Sequence, residues 1–504
     1  MTEPNPALTE ASSTDLEAPS QQPKKTTARQ AQPAAATELV EMATELYQFG
    51  RDTTGEVFGV PLTGPRITFM LRGGGRSLRN ELAKKYFTEH GKAASSQALA
   101  DAMITLEGIG EEWETELHTR IASDGLDRSV WVDLGDLDGR AIHITEHHWN
   151  LHDRAPVLFR RSALTSPLPT PVRHPDGLDL LWGLLNVTPE DRPLVAAWLV
   201  AALVPGIAHP ILALFGEQGT GKSTATKLVV SIVDPSPAPT RTPPKDQERW
   251  ITAAAASWVV GIDNLSGVSE WFSDALCRAV TGTADVRRRL YSDKDLEVFS
   301  FRRAIALNGI DIGDLRGDLA ERLLPINLDR IPDHQRLEET ELDTTWASHH
   351  PHVLAAVLDL TTAVFAHLPH IELASKPRMA DFARITAAVD HVLGTTGLDR
   401  YTAKQGSMAT DAIDTDPFIA AVTQAIRWDW EGTSADLLAV VDPAPEPLPK
   451  GWPTSSRAVT GRLKRWAPVL RKVGWTVDND AGTNRYGTTR WTITAPNPPP
   501  PDQR

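Results

Sequence analysis

One glycine-rich stretch has the residue types and the spacing of a phosphate-binding loop. Gly216 and Gly221 frame the pattern Gly-x-x-x-x-Gly-Lys-Ser, which directly follows an apolar run. Because glycines lack a Cβ, the backbone can curl with its N–H groups around a polyphosphate. Lys222 would reach the β- and γ-phosphates of ATP, and Ser223 would bind Mg²⁺. We predict nucleotide contacts from Gly216, Glu217, Gln218, Gly219, Thr220, Gly221, Lys222, Ser223 and Thr224.

The elements that must position this loop are also present. The apolar run 211–215 predicts a buried parallel strand, and 222–232 predicts a helix whose positive end faces the anion. A second apolar strand ends in Asp263, 41 residues after Lys222. In a strand–helix–strand unit an acid at this point holds the Mg²⁺ shell. We therefore predict that Ser223 and Asp263 are the metal ligands.

Two further polar residues, each next to a predicted strand, have residue types that could act in ATP hydrolysis. The apolar strand 304–307 ends in Asn308, where ATPases of the AAA+ kind hold an amide between the γ-phosphate and the attacking water. Arg322 precedes the last apolar strand and is a candidate arginine finger for a neighbouring subunit. A salt bridge to Asp318 or Glu321 is the alternative for this arginine.

Asn264 departs from the usual pattern. Many AAA+ enzymes have a glutamate directly after the metal-binding acid, where it polarises the attacking water. An amide can orient water but cannot accept its proton at neutral pH. Either another carboxylate supplies the base, for which Glu217 is a weak candidate, or hydrolysis is slow. The predicted catalytic set is Lys222, Asp263, Asn264, Asn308 and Arg322.

Two basic segments suit DNA. In the first, 286–303, arginines alternate with aromatic residues in a hairpin-like pattern that favours phosphate contact and base stacking, although a solvated charged hairpin is the alternative. In the second, 450–491, nine basic residues stand against two acidic ones, in a chain whose net charge is -14. The predicted DNA contacts are Arg287, Arg288, Arg289, Lys294, Arg457, Arg462, Arg465 and Arg485.

Composition limits the remaining possibilities. The chain of 504 residues is long enough for several domains, and its single cysteine excludes a disulfide framework and fits a reducing cytoplasm. The 11-residue apolar run 194–204 is too short to span a bilayer, so we expect no membrane contact. The overall negative charge argues against DNA binding by the whole surface and leaves it to local basic patches.

Patterns along the chain predict its organisation. A disordered tail, 1–36, precedes an α+β domain, 37–170, and a Pro-rich linker lies at 167–175. The segment 176–335 is predicted to hold a helical collar followed by the ATPase core, which starts near Pro205, and Thr188 is the predicted N-cap of a helix in the collar. Helices predicted at 352–368 and 377–393 form a lid or collar within 336–400. The segment 414–496 has the order helix, helix, two-stranded ribbon, which is typical of a winged helix for DNA or, alternatively, for a protein partner.

These motifs together resemble those of superfamily-3 helicase ATPases, in particular the phage- and poxvirus-type primase–helicase module. The resemblance covers about 178–400, with the three nucleotide motifs inside 216–308, and extends to ATP-binding proteins of actinobacterial prophages and integrated elements. It implies an α/β fold with an AAA+ P-loop core and parallel sheet, preceded by an α+β domain and followed by helices and a C-terminal winged helix. It also implies ATP and Mg²⁺ as cofactors, translocation by 287–294 and trans-acting chemistry by Arg322.

The predicted function is an ATP-dependent DNA helicase or translocase that replicates a phage, plasmid or integrated element. It would act as a homo-oligomeric ring, a hexamer, with single-stranded DNA in its pore and duplex at the winged helix. A separate primase or replication protein is a possible partner, since 37–170 has no primase signature. The alternatives are a AAA+ switch that loads or regulates without unwinding, and a DNA-binding protein that uses ATP only structurally.

Overall fold

The fold is described from a computed structural model. It describes residues 34–73, 77–126, 128–283, 285–288, 296–299, 301–309, 317–441, 447–449, 451–482, 485 and 488–496. The predicted disordered tail lies almost wholly outside these residues, as do Arg289 and Lys294 of the basic hairpin.

The N-terminal region combines helices and antiparallel strands, which confirms the predicted α+β region. Strands β1 to β3 form one antiparallel sheet, β5 to β8 form a second in sequential order, and β4 pairs with β9. The alternating apolar pattern predicts strands at 130–134, 141–144 and 149–151, and they correspond to β6, β7 and β8, each within one residue at its ends. The elements are α1 (Ala35–Leu46), β1 (Tyr47–Arg51), β2 (Val57–Pro61), β3 (Phe69–Met70), α2 (Leu78–His90), α3 (Ser96–Gly110), β4 (Leu117–His118), β5 (Ile121–Ser123), β6 (Val130–Asp133), β7 (Ala141–Ile144), β8 (Trp149–His152) and β9 (Leu158–Phe159).

A five-stranded parallel sheet lies at the centre of the molecule, as predicted. Its strand order is β11-β12-β15-β10-β16, and every neighbouring pair is parallel. Strands β10, β12 and β15 are buried along their whole length, because helices cover both faces of the sheet. The elements are α4 (Gly177–Trp182), α5 (Arg192–Ala202), β10 (Ile211–Phe215), α6 (Lys222–Val233), β11 (Thr240–Arg241), α7 (Gln247–Ala255), β12 (Val259–Ile262), α8 (Glu270–Thr281), β13 (Asp285–Arg288), β14 (Leu296–Phe299), β15 (Ala304–Asn308), α9 (Gly317–Ala320) and β16 (Leu323–Asn327).

The C-terminal half contains helices followed by a small module with its own core. In this module β19 lies between β17 and β18 in an antiparallel sheet, so the predicted two-stranded ribbon gains a third strand, β17. The elements are α10 (Glu339–His367), α11 (Ala380–Leu393), α12 (Gly397–Thr415), α13 (Pro417–Ala425), β17 (Trp430–Thr433), α14 (Ser434–Val440), α15 (Ser456–Lys472), β18 (Thr476–Asn479) and β19 (Arg490–Thr494).

Helix α10, with the short turn after it, is long and apolar enough to cross a membrane by length and composition. Half of its most apolar stretch is nevertheless buried within the protein. It packs on α4, α5 and α11 through side chains such as Val353, Leu358 and Val364. We therefore assign α10 to the protein core.

Two local expectations are wrong. Thr188 does not cap a helix, because α5 begins at Arg192 after Asp191, and Thr188 only accepts backbone N–H groups through its carbonyl. The Pro-rich stretch 167–175 is not a free linker at its start. Leu168 is 3% exposed and its N–H donates to the carbonyl of Leu134, so this stretch is anchored on the N-terminal sheet.

The N-terminal sheet and the parallel sheet share one apolar core. Val132, Ile142 and Ile144 belong to the same buried cluster as the strands of the parallel sheet. The C-terminal module and the N-terminal helices have separate clusters. Strands β5 to β8 therefore contribute to the core that contains the parallel sheet, whereas Leu117 and Leu158 pack with Phe58 in a separate cluster.

A buried ion pair reinforces this junction. Arg120 Nε lies 2.8 Å from Asp234 Oδ1, and the two side chains are 1% and 6% exposed. The other carboxylate oxygen of Asp234 accepts the N–H groups of Trp258 and Val259, at 2.7 and 3.1 Å. One carboxylate thus joins the N-terminal sheet, the end of α6 and the start of β12.

Candidate nucleotide site

The glycines of the loop between β10 and α6 occupy backbone conformations that other residues avoid. Gly216, Gly219 and Gly221 have φ angles of 153°, 85° and 77°. A Cβ on Gly216 would lie 2.8 Å from the carbonyl oxygen of Leu328, so the loop also leaves no room there. The loop therefore needs glycine for both conformation and space, as a phosphate cradle does.

Lys222 is the first residue of α6, and its side chain turns back into the loop. Its Nζ donates to the carbonyl oxygens of Gly216 and Glu217, at 2.6 and 2.7 Å. Thr220 is 2% exposed and closes the loop by donating to the carbonyl of Glu217. The loop carbonyls thus hold the ammonium group at the N-terminal end of the helix, where an anion is favoured.

The side chains of Ser223 and Asp263 are in contact at the carboxyl edge of the parallel sheet. The hydroxyl of Ser223 donates to Asp263 Oδ1 over 2.7 Å. Asp263 directly follows β12, and its own N–H donates to the carbonyl of Arg241 in the neighbouring strand β11. A hydroxyl and a carboxylate at this separation fit one oxygen coordination shell of the kind that Mg²⁺ requires. These residues therefore fit the ion that their sequence pattern implies.

Asn308 connects three parts of the site. It is 1% exposed at the end of β15, and its Nδ2 donates to Asp263 Oδ1 and Thr226 Oγ1, at 2.8 and 2.7 Å. Its Oδ1 accepts the N–H of Asn264 at 3.0 Å. Both amide hydrogens of Asn308 are therefore used within the site, and donation to a γ-phosphate or water would require one of these two bonds to open.

The backbone of Asn264 lies in the left-handed region, with φ of 55°, and its side chain is exposed. Asparagine tolerates this conformation better than most residues. Gly309 packs against it, since a Cβ on Gly309 would lie 2.9 Å from the Cα of Asn264. An uncharged amide therefore occupies the position after Asp263, and Glu217, the weak candidate base, is exposed on the loop.

Arg322 lies far from the phosphate loop of its own subunit. It precedes β16 beside the start of β10, whereas the loop follows the end of β10, roughly 16 Å away at strand spacing. Its side chain is 10% exposed, and Nη1 lies 2.6 Å from Asp318 Oδ1. Burial opposes ionisation of Asp318, but the hydrogen bond and charge of Arg322 outweigh it and lower the pKa of that carboxyl.

The structure thus contains the intramolecular salt bridge that was the alternative for Arg322, and its action on a neighbour stays a prediction. The pair belongs to a larger charge network. Arg378 binds both Asp318 and Glu321, at 2.7 and 2.6 Å, and Lys472 of α15 binds Glu321 at 2.9 Å. This network joins the C-terminal module to the part of the protein that contains the parallel sheet.

The predicted DNA contacts are partly resolved. Arg287 and Arg288 lie on β13, which pairs with β14 in the predicted antiparallel hairpin. Arg457 and Arg465 are exposed on α15, and Arg485 is exposed before β19. Arg462 differs, because it is largely buried and pairs with Asp416 at 3.2 Å. Its guanidinium supports the start of α13, so the predicted DNA contact at Arg462 conflicts with its position.

Two residues near the loop were missed in the sequence. Thr226 accepts the amide of Asn308 and lies one helical turn after Lys222, a spacing that could have suggested it. Arg336 lies beside Gly219, with its Nη2 2.9 Å from the position of a Cβ there. Nothing in the local sequence pattern marks Arg336, since it reaches the loop only through the fold.

Similar solved structures are distant. The chain is 11% identical to the SCCmec type IV Cch active helicase, with a TM-score of 0.43 over 89% of this chain and 93% of that one. It is 10% identical to the apo NrS-1 C-terminal region, with a TM-score of 0.38 over 92% and 100%. For the JCV helicase the values are 13% and 0.25 over 47% and 65%. No curated protein matches the chain.

Two family models match the sequence, and together they cover more than half of it. Residues 178–411 match the actinomycete integrative conjugative element replication protein, and residues 418–502 match the AICE RepA C-terminal domain. The first match contains the loop, Asp263, Asn308 and Arg322, and the second contains α13 to β19. The chain belongs to the RepA family of replication proteins of actinomycete integrative conjugative elements.

Proposed function

We propose that this replication protein is an ATP-dependent DNA helicase or translocase with an AAA+ core. The observation that carries the proposal is the joining of Lys222, Ser223, Asp263 and Asn308 at the carboxyl ends of β10, β12 and β15. Ligands of parallel α/β sheets bind at this edge, and these residue types bind a nucleoside triphosphate with Mg²⁺. Family membership supports a role in replication of an integrated element.

Each residue of the site has a part in this chemistry. The backbone N–H groups of the loop and the ammonium of Lys222 bind the phosphates, and Ser223 with Asp263 would hold Mg²⁺. Bound Mg²⁺ would neutralise charge that develops on the phosphates. Asn308 fixes the Asp263 carboxylate through the contact at 2.8 Å. Asn264 can orient the attacking water, and Arg322 of a neighbouring subunit would stabilise the transition state.

The proposed motor is a homo-oligomeric ring, a hexamer, in the cytoplasm. The 285–299 hairpin, rich in arginine, would contact single-stranded DNA in the pore and move with the nucleotide state. The C-terminal module would bind duplex as a winged helix. Its order of helices and strands and the exposed Arg457, Arg465 and Arg485 support this. A separate primase or replication protein is a possible partner.

The first test is ATP turnover with and without single-stranded DNA, for the wild type, Lys222→Ala and the exposed-lysine control Lys92→Ala. We expect DNA to stimulate turnover in the wild type and the control, and Lys222→Ala to abolish it. Loss of the lysine removes the charge that holds the phosphates. Equal turnover in Lys222→Ala and wild type would disprove the assigned site.

One observation favours a second candidate. Because Asn264 stands where a base is usual, basal hydrolysis is expected to be slow, which suits a AAA+ switch that binds ATP and DNA without unwinding. ATP binding without DNA-stimulated turnover would support the switch and contradict the helicase. Mg²⁺-independent ATP binding with no turnover at all would instead support a structural nucleotide in a DNA-binding protein.

A further inference from the structure

The segment that follows β16 runs along the mouth of the phosphate loop. The N–H of Leu328 donates to the carbonyl of Phe215 at 2.8 Å, and the Leu328 carbonyl borders Gly216. Further on, Ile331 Cδ1 lies 3.2 Å from the position of a Cβ on Gly221. The segment 328–336 thus contacts the loop at three of its glycines, the third through Arg336.

Arg336 brings a guanidinium group to the middle of the loop. Its Nη2 lies 2.9 Å from the position of a Cβ on Gly219, and its Cζ lies 3.8 Å from the same point. Gly219 lies between Gly216 and Lys222, in the stretch whose N–H groups curl around the phosphates. The guanidinium of Arg336 therefore lies beside the loop and adds a second positive charge near it, besides that of Lys222.

The present partner of Arg336 is weak enough to be exchanged. Arg336 Nη2 lies 3.2 Å from Asp333 Oδ1, and the two side chains are 48% and 80% exposed. Ion pairs with this exposure contribute little to stability because water screens them. A phosphate offers two or more oxygens with greater charge, and a guanidinium binds such a group with paired hydrogen bonds.

We propose that Arg336 breaks its ion pair with Asp333 and binds the terminal phosphate of the nucleotide in its own subunit. This inference rests on the proposed ATP binding and adds a residue that distinguishes triphosphate from diphosphate. It is independent of Arg322, which lies at the other end of β10. Since α10 begins three residues after Arg336, the exchange would also connect nucleotide state to the start of this helix.

The test compares the affinities of ADP and ATPγS, each with Mg²⁺, for the full chain by titration calorimetry. We expect Arg336→Ala to weaken ATPγS about tenfold, as for a lost hydrogen bond to a charged group, and to leave ADP within about twofold. Arg336→Lys should recover part of the ATPγS affinity, because it keeps the charge and loses the paired geometry. Asp333→Asn should strengthen ATPγS binding, because it removes the competing carboxylate.

Arg51→Ala is the matched control, since Arg51 is 41% exposed and pairs with the single carboxylate of Glu114. It should change neither affinity. Unchanged ATPγS binding by Arg336→Ala, or equal losses for ADP and ATPγS, would overturn the inference while leaving the proposed site intact. If the wild type bound neither nucleotide, the proposed function and the inference would both fail. Melting temperatures of the variants identify any loss caused by unfolding.

Discussion

Asn264 combines an unusual backbone with an unusual chemical group for its position. Its left-handed φ of 55° is one that asparagine, aspartate and glycine accept with little strain. Its N–H donates to the side-chain oxygen of Asn308, which ties its backbone to the end of the parallel sheet. Its amide side chain lacks the basicity to deprotonate water.

Asn264→Asp is expected to raise basal ATP turnover by about tenfold or more, because it adds a general base of the same shape. Steady-state phosphate release checks this. Asn264→Gly is the control, since glycine accepts the same φ but has no side chain, and its turnover should not exceed that of the wild type. Unchanged or lower turnover in Asn264→Asp would show that another carboxylate is the base.

Among the elements, the contact between the N-terminal sheet and the parallel sheet combines a shared apolar core with one buried ion pair. Arg120 and Asp234 are both almost fully buried, and Asp234 also holds two backbone N–H groups at the start of β12. A buried carboxylate that loses its partner keeps the desolvation cost without the compensating charge. Asp234 therefore supports the start of β12, the strand that directly precedes Asp263.

Arg120→Met is expected to lower the free energy of unfolding by about 3–5 kcal/mol, because it removes the ion-pair partner of the buried Asp234 and the donor to the carbonyls of Asp133 and Ser166. Urea denaturation measures it. Arg128→Met is a matched control, because Arg128, like Arg120, has a left-handed backbone, with φ of 53°. Its ion pair with Glu146, at 2.7 Å, is more exposed than the pair of Arg120 with Asp234. The control should lose about 1 kcal/mol or less. Equal losses in the two variants would show that the Asp234 pair has no special weight.

For the whole molecule, the position of Arg322 separates action within a subunit from action between subunits. Arg322 cannot reach the loop of its own subunit, since the length of β10 lies between them. If it acts at all in hydrolysis, it acts on a neighbour, and the salt bridge with Asp318 must then open or rotate toward the interface. Mixed assemblies test this directly.

Lys222→Ala and Arg322→Ala are each expected to lack DNA-stimulated turnover alone. When the two are co-expressed and mix at random, about one quarter of interfaces pair an intact loop with an intact arginine. Turnover should then recover to roughly that fraction of wild type. No recovery, in assemblies shown to contain both variants, would mean that Arg322 only stabilises its own subunit through Asp318.

Sequence reasoning succeeded for elements of the fold that depend on short contiguous patterns. The strand, glycine loop and helix at 211–233 follow from apolar period and glycine spacing, and the parallel sheet follows from repeated strands that end in polar residues. It failed where the structure depends on contacts between residues that are distant in the sequence. Helix α10 begins at Glu339 and passes through Pro351, although the sequence pattern placed its start after that proline, because packing on α4 and α11 maintains it. Arg336 and the salt bridge of Arg462 likewise depend on tertiary contacts.

The shared core has a consequence for how such a protein can diversify. A gene exchange that replaced only the segment 178–411 would bring Asp234 from one parent to Arg120 from another, within one buried pair. It would also join two halves of an apolar core that were not selected together. A transferred segment that includes Asp234 therefore keeps this buried ion pair only if it also starts upstream of Arg120. The C-terminal module has a separate core that begins at Ala409 in α12, and an exchange of this module keeps the ion pair of Lys472 with Glu321 only if both residues are retained.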